Sequence, residues 1–300
     1  MASPDLASGG RTASKAIPAM LAGGLPYLLL LPATSFLAIF FLYPFGLVAW
    51  EAFSGAGGLT LAHFQTMAGN WKFPQAVRIT LLLALAVVPL QTVLALAMAV
   101  LVTKLRQGRD LVLYVFTIPL GVSDLAAGLI WLAIFDQTGF LNSALYALGV
   151  IDAPVIWLGY QSKGVIFAAV MLAEIWRATA IMLVILVSGL GLIPKEYGEA
   201  AEVFGAGPWQ RFRRITLPML RPSLQTALIL RTILAFEVFA VVATLGGTNL
   251  PVLMGETYHW QFDLQDGHVA AALAMMILAI SIVFTLVFLR VLRVPKGAGV

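Results

Sequence analysis

Six polar side chains interrupt otherwise apolar stretches of this chain: Gln91, Asp124, Glu174, Arg177, Arg231 and Glu237. An ionisable group inside hydrocarbon normally faces a bundle interior or water, so each marks either a buried pair or a path for something polar. Glu174 and Arg177 stand three apart, on one helical face, and can neutralise each other. Arg231 is placed to brace an acid from a neighbouring segment. Asp124 and Glu237 have no partner visible in the sequence. Trp131, Phe236 and Phe239 lie within two helical turns of those acids and offer aromatic faces. Asp124, Trp131, Phe236, Glu237 and Phe239 therefore form the candidate path set. The remaining aromatics and the ten methionines read as packing.

None of this is machinery for bond making. There is no G-x-x-x-x-G-K-[ST] phosphate loop, no H-E-x-x-H and no paired-acid or two-metal cluster. His63, His259 and His268 lack a second ligand type at ligand spacing and are expected at aqueous or interfacial surfaces, so no metal site is expected. With no cysteine, disulfides and thiolate sites are excluded. No catalytic residue and no cofactor are expected on this chain. A pump built on it would borrow its motor from another polypeptide.

The elements that position these residues are membrane spans. Hydrophobic residues make up 61% of the chain and charged residues 11%, far from a soluble mixture. The apolar runs are continuous and about 20 residues or longer, enough to cross some 30 Å of hydrocarbon, and they lack the alternation of a β-barrel. The expected fold is all-α and polytopic, with six spans over about 25–50, 76–103, 111–135, 164–187, 224–245 and 269–289. Pro26, Pro32 and Pro44 predict kinked or irregular ends for the first. The expected organisation is a cytoplasmic lead-in at 1–21, a six-span region at 22–293 and a cytoplasmic tail at 294–300. Arg11 and Lys15, then Lys104, Arg106 and Arg109, then Lys195, Arg211, Arg213, Arg214 and Arg221, then Arg290, Arg293 and Lys296 fall on one side. Only Lys72, Arg78 and Lys163 fall on the other, so the positive-inside rule puts both termini in the cytoplasm. The same rule accounts for the net charge of +4 without nucleic acid, since no basic stripe carries interleaved aromatics.

The longest polar interval, Gly191 to Pro222, is then cytoplasmic. Pro194 fits the first position of a short helix through Lys195-Glu-Tyr-Gly-Glu-Ala-Ala, which Gly205 and Gly207 end. Pro208 opens a second, with Trp209, Phe212 and Ile215 on one side and basic residues on the other, closed by Pro218 and Pro222. Small residues leave room for another backbone to come close. This is a docking element.

At this point a resemblance becomes specific. Glu199-Ala200-Ala201, then Gly205, then Ile215-x-Leu217-Pro218, resembles the EAA signature of the membrane subunits of bacterial ATP-binding-cassette importers. In that family the segment couples to a separate ATPase subunit, so the resemblance implies an ATPase-coupling role for Glu199, Ala200, Ala201, Gly205, Ile215, Leu217 and Pro218. Phe204 departs from the family's usual aspartate, with Glu202 nearby to supply negative charge. Phe135-Asp136-x-x-Gly139-x-Leu141-Asn142, Arg231-x-x-x-Ala235-Phe236, Thr244-Leu245-Gly246-Gly247 and Gly267 before an alanine-rich last span are similar to the maltose-type, carbohydrate-importing branch, and to its first permease subunit. The implied partners are a second, homologous permease, two copies of an ATPase that holds ATP and Mg, an external solute-binding protein and membrane lipid. The implied location is the bacterial inner membrane. On that reading the acids at 124 and 237 would accept sugar hydroxyls. Branches moving polyamines, iron, phosphate or amino acids share the EAA element, and a stand-alone carrier or an intramembrane enzyme are the rival classes. The first would show internal repeats or broken spans with coupling-ion ligands and would not need the EAA element, and the second a nucleophile, metal or paired acids.

Overall fold

The computed structural model describes residues 19–292, with side-chain environments from residue 27 onward. The lead-in Arg11 and Lys15 and the tail residues Arg293 and Lys296 lie outside the described residues. Two units are distinguished, residues 1–50 and 51–300.

The first unit is helical where described. Helix α1 (Ala19–Leu37) runs into a wide π turn at Ala38–Leu42, and α2 (Tyr43–Phe53) follows. In that turn the amide of Tyr43 reaches the carbonyl of Ala38, one residue further back than in an α-helix, just ahead of Pro44. The irregularity predicted from the prolines is therefore inside the segment. Its side chains from Tyr27 onward are almost all exposed.

The second unit begins with a small hairpin, β1 (Ser54–Gly55) against β2 (Gly58–Leu59), and a short helix α3 (Ala62–Gly69). The long α4 (Phe73–Lys104) comes next, with Pro89 in its interior. The expected span over 111–135 is not one helix. It consists of α5 (Arg109–Thr117), a 3-10 turn at Ile118–Gly121, and α6 (Asp124–Phe135). The cause is local: Pro119 sits in the turn, and Ser123 caps a new helix by accepting a bond from the amide of Ala126 at 3.2 Å. A bend at Asp136 leads to α7 (Phe140–Ala147).

Helix α8 (Lys163–Gly191) is continuous and much buried. After it come α9 (Lys195–Val203), α10 (Pro208–Arg211), a π turn at Phe212–Thr216 and α11 (Leu217–Met219). The expected span over 224–245 is also split, into α12 (Arg221–Phe236) and α13 (Ala240–Leu245), separated at Glu237–Phe239. The 246–266 stretch holds a 3-10 turn, α14 (Leu253–Tyr258) and a π turn at His259–Asp263. Helix α15 (Gly267–Val291) completes the described fold.

Among the described residues, five helical stretches are long and apolar enough to cross a membrane: Tyr27–Phe53, Phe73–Lys104, Asp124–Ala147, Lys163–Gly191 and Gly267–Val291. The 224–245 region is not among them because its break leaves two pieces, of 16 and 6 residues. In the core, α4, α8 and α12 pack with small residues at their contacts, including Ala95, Ala99, Ala173 and Ala227. Small side chains let backbones approach closely where lipid gives no hydrophobic drive to association. Two glycines mark such approaches. A Cβ on Gly128 of α6 would collide with Thr244 of α13, and one on Gly189 of α8 would collide with Ser223 of α12.

Candidate functional site

The buried polar residues form one connected set. Arg231, fully buried on α12, donates from Nη2 to Glu174 Oε2 at 2.8 Å and from Nε to the Gln91 side-chain oxygen at 2.5 Å. Gln91 of α4 in turn donates to the backbone carbonyl of Glu174 at 2.7 Å. Glu174 also meets Arg177 Nη2 at 3.3 Å, the pair expected from their spacing, and Arg231 braces the acid of a neighbouring helix, also as expected. Three helices are thereby tied at one level. A buried charge is costly unless paired and hydrogen-bonded, and here each charge is. The Nη1 of Arg231 and the Nε of Arg177 are buried without a partner among the described residues.

Asp124 does have a partner, which sequence reasoning missed. Arg177 Nη1 lies 2.8 Å from Asp124 Oδ1, across from α8 to the first turn of α6. The signal was absent because the contact joins segments 53 residues apart, and only the break before Ser123 carries Asp124 to that level. Glu237 ends α12 at the second break. It is exposed, and no ion pair or side-chain hydrogen bond holds it among the described residues. Asp124, Arg177 and Glu237 together line a cavity of about 160 Å³, walled by Leu120, Ala178, Ile181 and Leu234. Two interrupted helices thus bring their carboxylates to a common opening with the guanidinium of the continuous α8.

The aromatic candidates divide. Phe236 is 1% exposed and packs edge-on against Phe284 of α15, inside an apolar cluster, so its place in the path set is corrected to the core. Trp131 is half-buried, stacked on Phe135 and edge-on to Trp176, with a buried Nε1 that has no partner among the described residues. Phe239 stacks on Tyr258 at 5.1 Å and faces a different cavity.

The 191–222 loop keeps its expected first helix with one shift. Pro194 is the N-cap residue of α9 rather than its first helical position. Gly205 ends the helix with φ +78°: its amide bonds the Glu202 carbonyl at 2.9 Å, and the Ala206 amide bonds the Ala201 carbonyl at 2.9 Å. That doubly bonded, left-handed closure is the Schellman motif. Pro218 and Pro222 do not end the second helix. Each sits in the first turn of α11 or α12, where a missing N–H is harmless, so the chain stays helical from Pro208 to Met219. Arg211 pairs with Glu202 and fixes α10 against α9. Glu199 and Ala200 are exposed, Ala201, Ile215, Leu217 and Pro218 are half-buried, and Phe204 is 90% exposed. With Val203 and Trp209 also exposed, the loop presents uncovered apolar side chains.

The Asp136 region is a knot. Asp136 Oδ1 accepts from the amide and hydroxyl of Thr138 at 2.9 and 2.8 Å. Asn142 donates to the carbonyls of Gln137 and Val155 and accepts from the Val155 amide and Trp157 Nε1. Gly139 faces the Ala133 carbonyl so closely that a Cβ would come within 2.5 Å. His63 and His268 stack at 4.6 Å, and His259 pairs with Asp263. Among the described residues no group of three His, Asp or Glu converges as metal ligands.

The all-α polytopic bundle with two broken helices is that of a membrane permease. The chain belongs to the binding-protein-dependent transport system inner membrane component family, whose model matches residues 91–294. It is the multi-pass inner-membrane permease subunit of an ABC-type importer, working with a binding protein and an ATPase partner. It is 30% identical over 288 residues to the trehalose/maltose transport system permease protein MalF of Thermococcus litoralis, covering 90% of this chain and 94% of that protein. It is 32% identical over 282 residues to the sulfoquinovosyl glycerol transport system permease protein SmoG of Agrobacterium fabrum, covering 90% of each. The fold matches a bacterial ABC transporter involved in the import of the acidic polysaccharide alginate, with a TM-score of 0.80, 20% identity, and coverage of 91% of this chain and 97% of that one.

Proposed function

We propose that the chain forms half of the translocation path of a maltose-type sugar importer, in the place of the first of two unlike permease subunits. It has six spans with both termini cytoplasmic, over a domain from about residue 22 to 293. The two interrupted spans are part of that design, since non-helical backbone at membrane depth is tolerated where it lines a cavity. The observation that carries the reading is the cleft of Asp124, Arg177 and Glu237 at the two helix breaks. Carboxylates accept hydroxyl donors in pairs, a guanidinium donates to sugar oxygens, and neither requires a charged solute. The relatives named above handle glycosidic solutes, which supports the same class. Energy enters through the loop at 191–222, with Glu199, Ala200, Ala201, Gly205, Ile215, Leu217 and Pro218 forming the seat for one of two ATPase subunits, which hold ATP and Mg.

The test is uptake of labelled trehalose, maltose and sulfoquinovosyl glycerol by membranes carrying the whole importer, normalised to the amount of this subunit. Glu237→Gln is expected to lower sugar uptake by about tenfold, the order of one lost charge-assisted hydrogen bond. Asp124→Asn is expected to lower it further, because it also frees Arg177. Unchanged flux in both variants would remove the cleft from the path, and saturable uptake of a polyamine or amino acid in place of sugar would replace the solute class.

A further inference from the structure

A second cavity, of about 280 Å³, lies between α13, the 247–249 turn, α14 and the N-terminus of α4, and it shares no lining residue with the Asp124–Glu237 cleft. On one wall Phe239 stacks on Tyr258 at 5.1 Å, and Tyr258 continues to Phe262 at 4.6 Å. Gly255 stands beneath Phe239, where an added Cβ would reach only ordinary contact with the ring. On another wall is Glu256, 8% exposed, whose carboxylate has neither a hydrogen bond nor an ion pair among the described residues. Lys72 and Thr248 also line the cavity, while His259 and Asp263 at its edge satisfy each other at 2.7 Å. With no donor from the protein, this carboxylate faces the cavity with both oxygens free to accept from a ligand.

The chemistry of the walls narrows the ligand. A divalent cation would need further oxygen ligands, and no group of three His, Asp or Glu converges among the described residues. An ammonium ligand would meet Lys72 across the cavity. A sugar ring fits both halves: its C–H face lies on an aromatic plane and two of its hydroxyls donate to one carboxylate. The volume is just below the roughly 300–1,000 Å³ of small-molecule sites, enough for one sugar unit or the end of a chain.

We infer that this cavity is a saccharide-binding vestibule distinct from the cleft, with Phe239 and Tyr258 as stacking platform and Glu256 as hydroxyl acceptor. It rests on the sugar-importer reading above. The three-residue break between α12 and α13 gives one residue to each cavity: Glu237 faces the cleft and Phe239 the vestibule. A sugar held in the vestibule is therefore one helical break away from the cleft, and the two cavities are successive stations on one route.

The chain has no cysteine, so Thr248→Cys creates its sole thiol, on the vestibule wall. The complete importer carrying that substitution is labelled with an impermeant maleimide from outside, with increasing trehalose, maltose or sulfoquinovosyl glycerol. Uptake of the same sugars is measured in the same membranes. The transported sugar is expected to protect the thiol. Glu256→Gln and Phe239→Ala should each raise the half-protecting concentration about tenfold, equivalent to about 1.4 kcal/mol. Phe239→Trp, which keeps a stacking face, should stay near the parent value. Glu237→Gln should slow uptake without moving protection. Sugar uptake without protection, or protection indifferent to Glu256→Gln and Phe239→Ala, would overturn the vestibule and leave the sugar reading standing. Absence of both uptake and protection would overturn both.

Discussion

At the scale of single residues, one guanidinium does most of the tying. Arg231 joins α12 to Glu174 on α8 and to Gln91 on α4, and every group it touches is itself buried. Replacing it with methionine keeps much of the volume but leaves Glu174 with only its longer contact to Arg177. Breaking a buried pair by removing one partner typically costs about 3–5 kcal/mol, because a charge stays behind without compensation. Arg231→Met is therefore expected to lower the yield and thermal midpoint of folded protein in detergent sharply, and adding Glu174→Gln should recover part of the loss. A midpoint unmoved by Arg231→Met would make the set ornamental. Half of this set was legible in the sequence. The i, i+3 spacing of Glu174 and Arg177 and the isolation of Arg231 in an apolar run pointed to pairing. The Asp124 contact was not legible, since it depends on where a broken helix restarts. Phe236 misled for a related reason: proximity to Glu237 in sequence says nothing about facing, and one residue along a helix turns the ring by about 100° into the core.

At the scale of elements, the two breaks differ in how they are written. The first is spelled out by Pro119, Gly121 and the capping Ser123. The second, across Glu237, Val238 and Phe239, contains neither proline nor glycine. Packing holds it, because α13 leans on α6 at the contact of Gly128 with Thr244. Gly128→Ala should push these two pieces apart, with an overpacking cost of about 1–3 kcal/mol. Thr244→Ala in the same chain should relieve most of it by removing the hydroxyl and methyl that the new Cβ meets. Thermal midpoints of the single and double variants measure this, and equal losses in both would refute the contact as the cause. The 191–222 loop differs from both breaks, because the end of α9 depends on backbone rather than packing. Gly205 holds φ +78° with open space around its Cβ position, so Gly205→Val strains the chain without colliding inside it. The left-handed conformation costs a non-glycine residue about 1–2 kcal/mol. That is enough to loosen the α9 closure and leave the spans intact. We expect normal insertion with weakened ATPase recruitment or uncoupled hydrolysis, and the same for Ala200→Trp, which adds bulk to the exposed EAA face. A pull-down of the ATPase followed by solute-stimulated hydrolysis is the measurement. Normal recruitment, hydrolysis and uptake in both variants would defeat the docking role of the loop.

At the scale of the whole molecule, composition alone announced a membrane bundle, because continuous apolar runs of span length have few other uses. The count of long helices came out differently, since the expected 224–245 span is built from two shorter pieces. Sidedness then has to be argued from charge. The basic residues of the 104–109 link and of the 195–221 loop cluster at ends that α4 and α8 place together, while the 136–162 stretch carries Asp136 and Asp152 and no Lys or Arg. Helix α8 alone separates that stretch from the EAA loop, so a single crossing must put them on opposite faces. Leu148 and Gly198 lie on the two sides of it, Leu148 exposed and Gly198 half-buried. In this cysteine-free chain, Leu148→Cys should react with an impermeant maleimide in intact cells. Gly198→Cys should react only after the membrane is opened, and a reporter fused after Val300 should give a cytoplasmic signal. The charge bias makes the direction of this outcome definite, because moving the basic loop to the exterior would carry five Lys and Arg across the bilayer. Labelling of both positions from the same side would contradict α8 as a span. Exterior labelling of Gly198→Cys with Leu148→Cys protected would invert the molecule, and with it the assignment of the EAA loop to an ATPase in the cytoplasm.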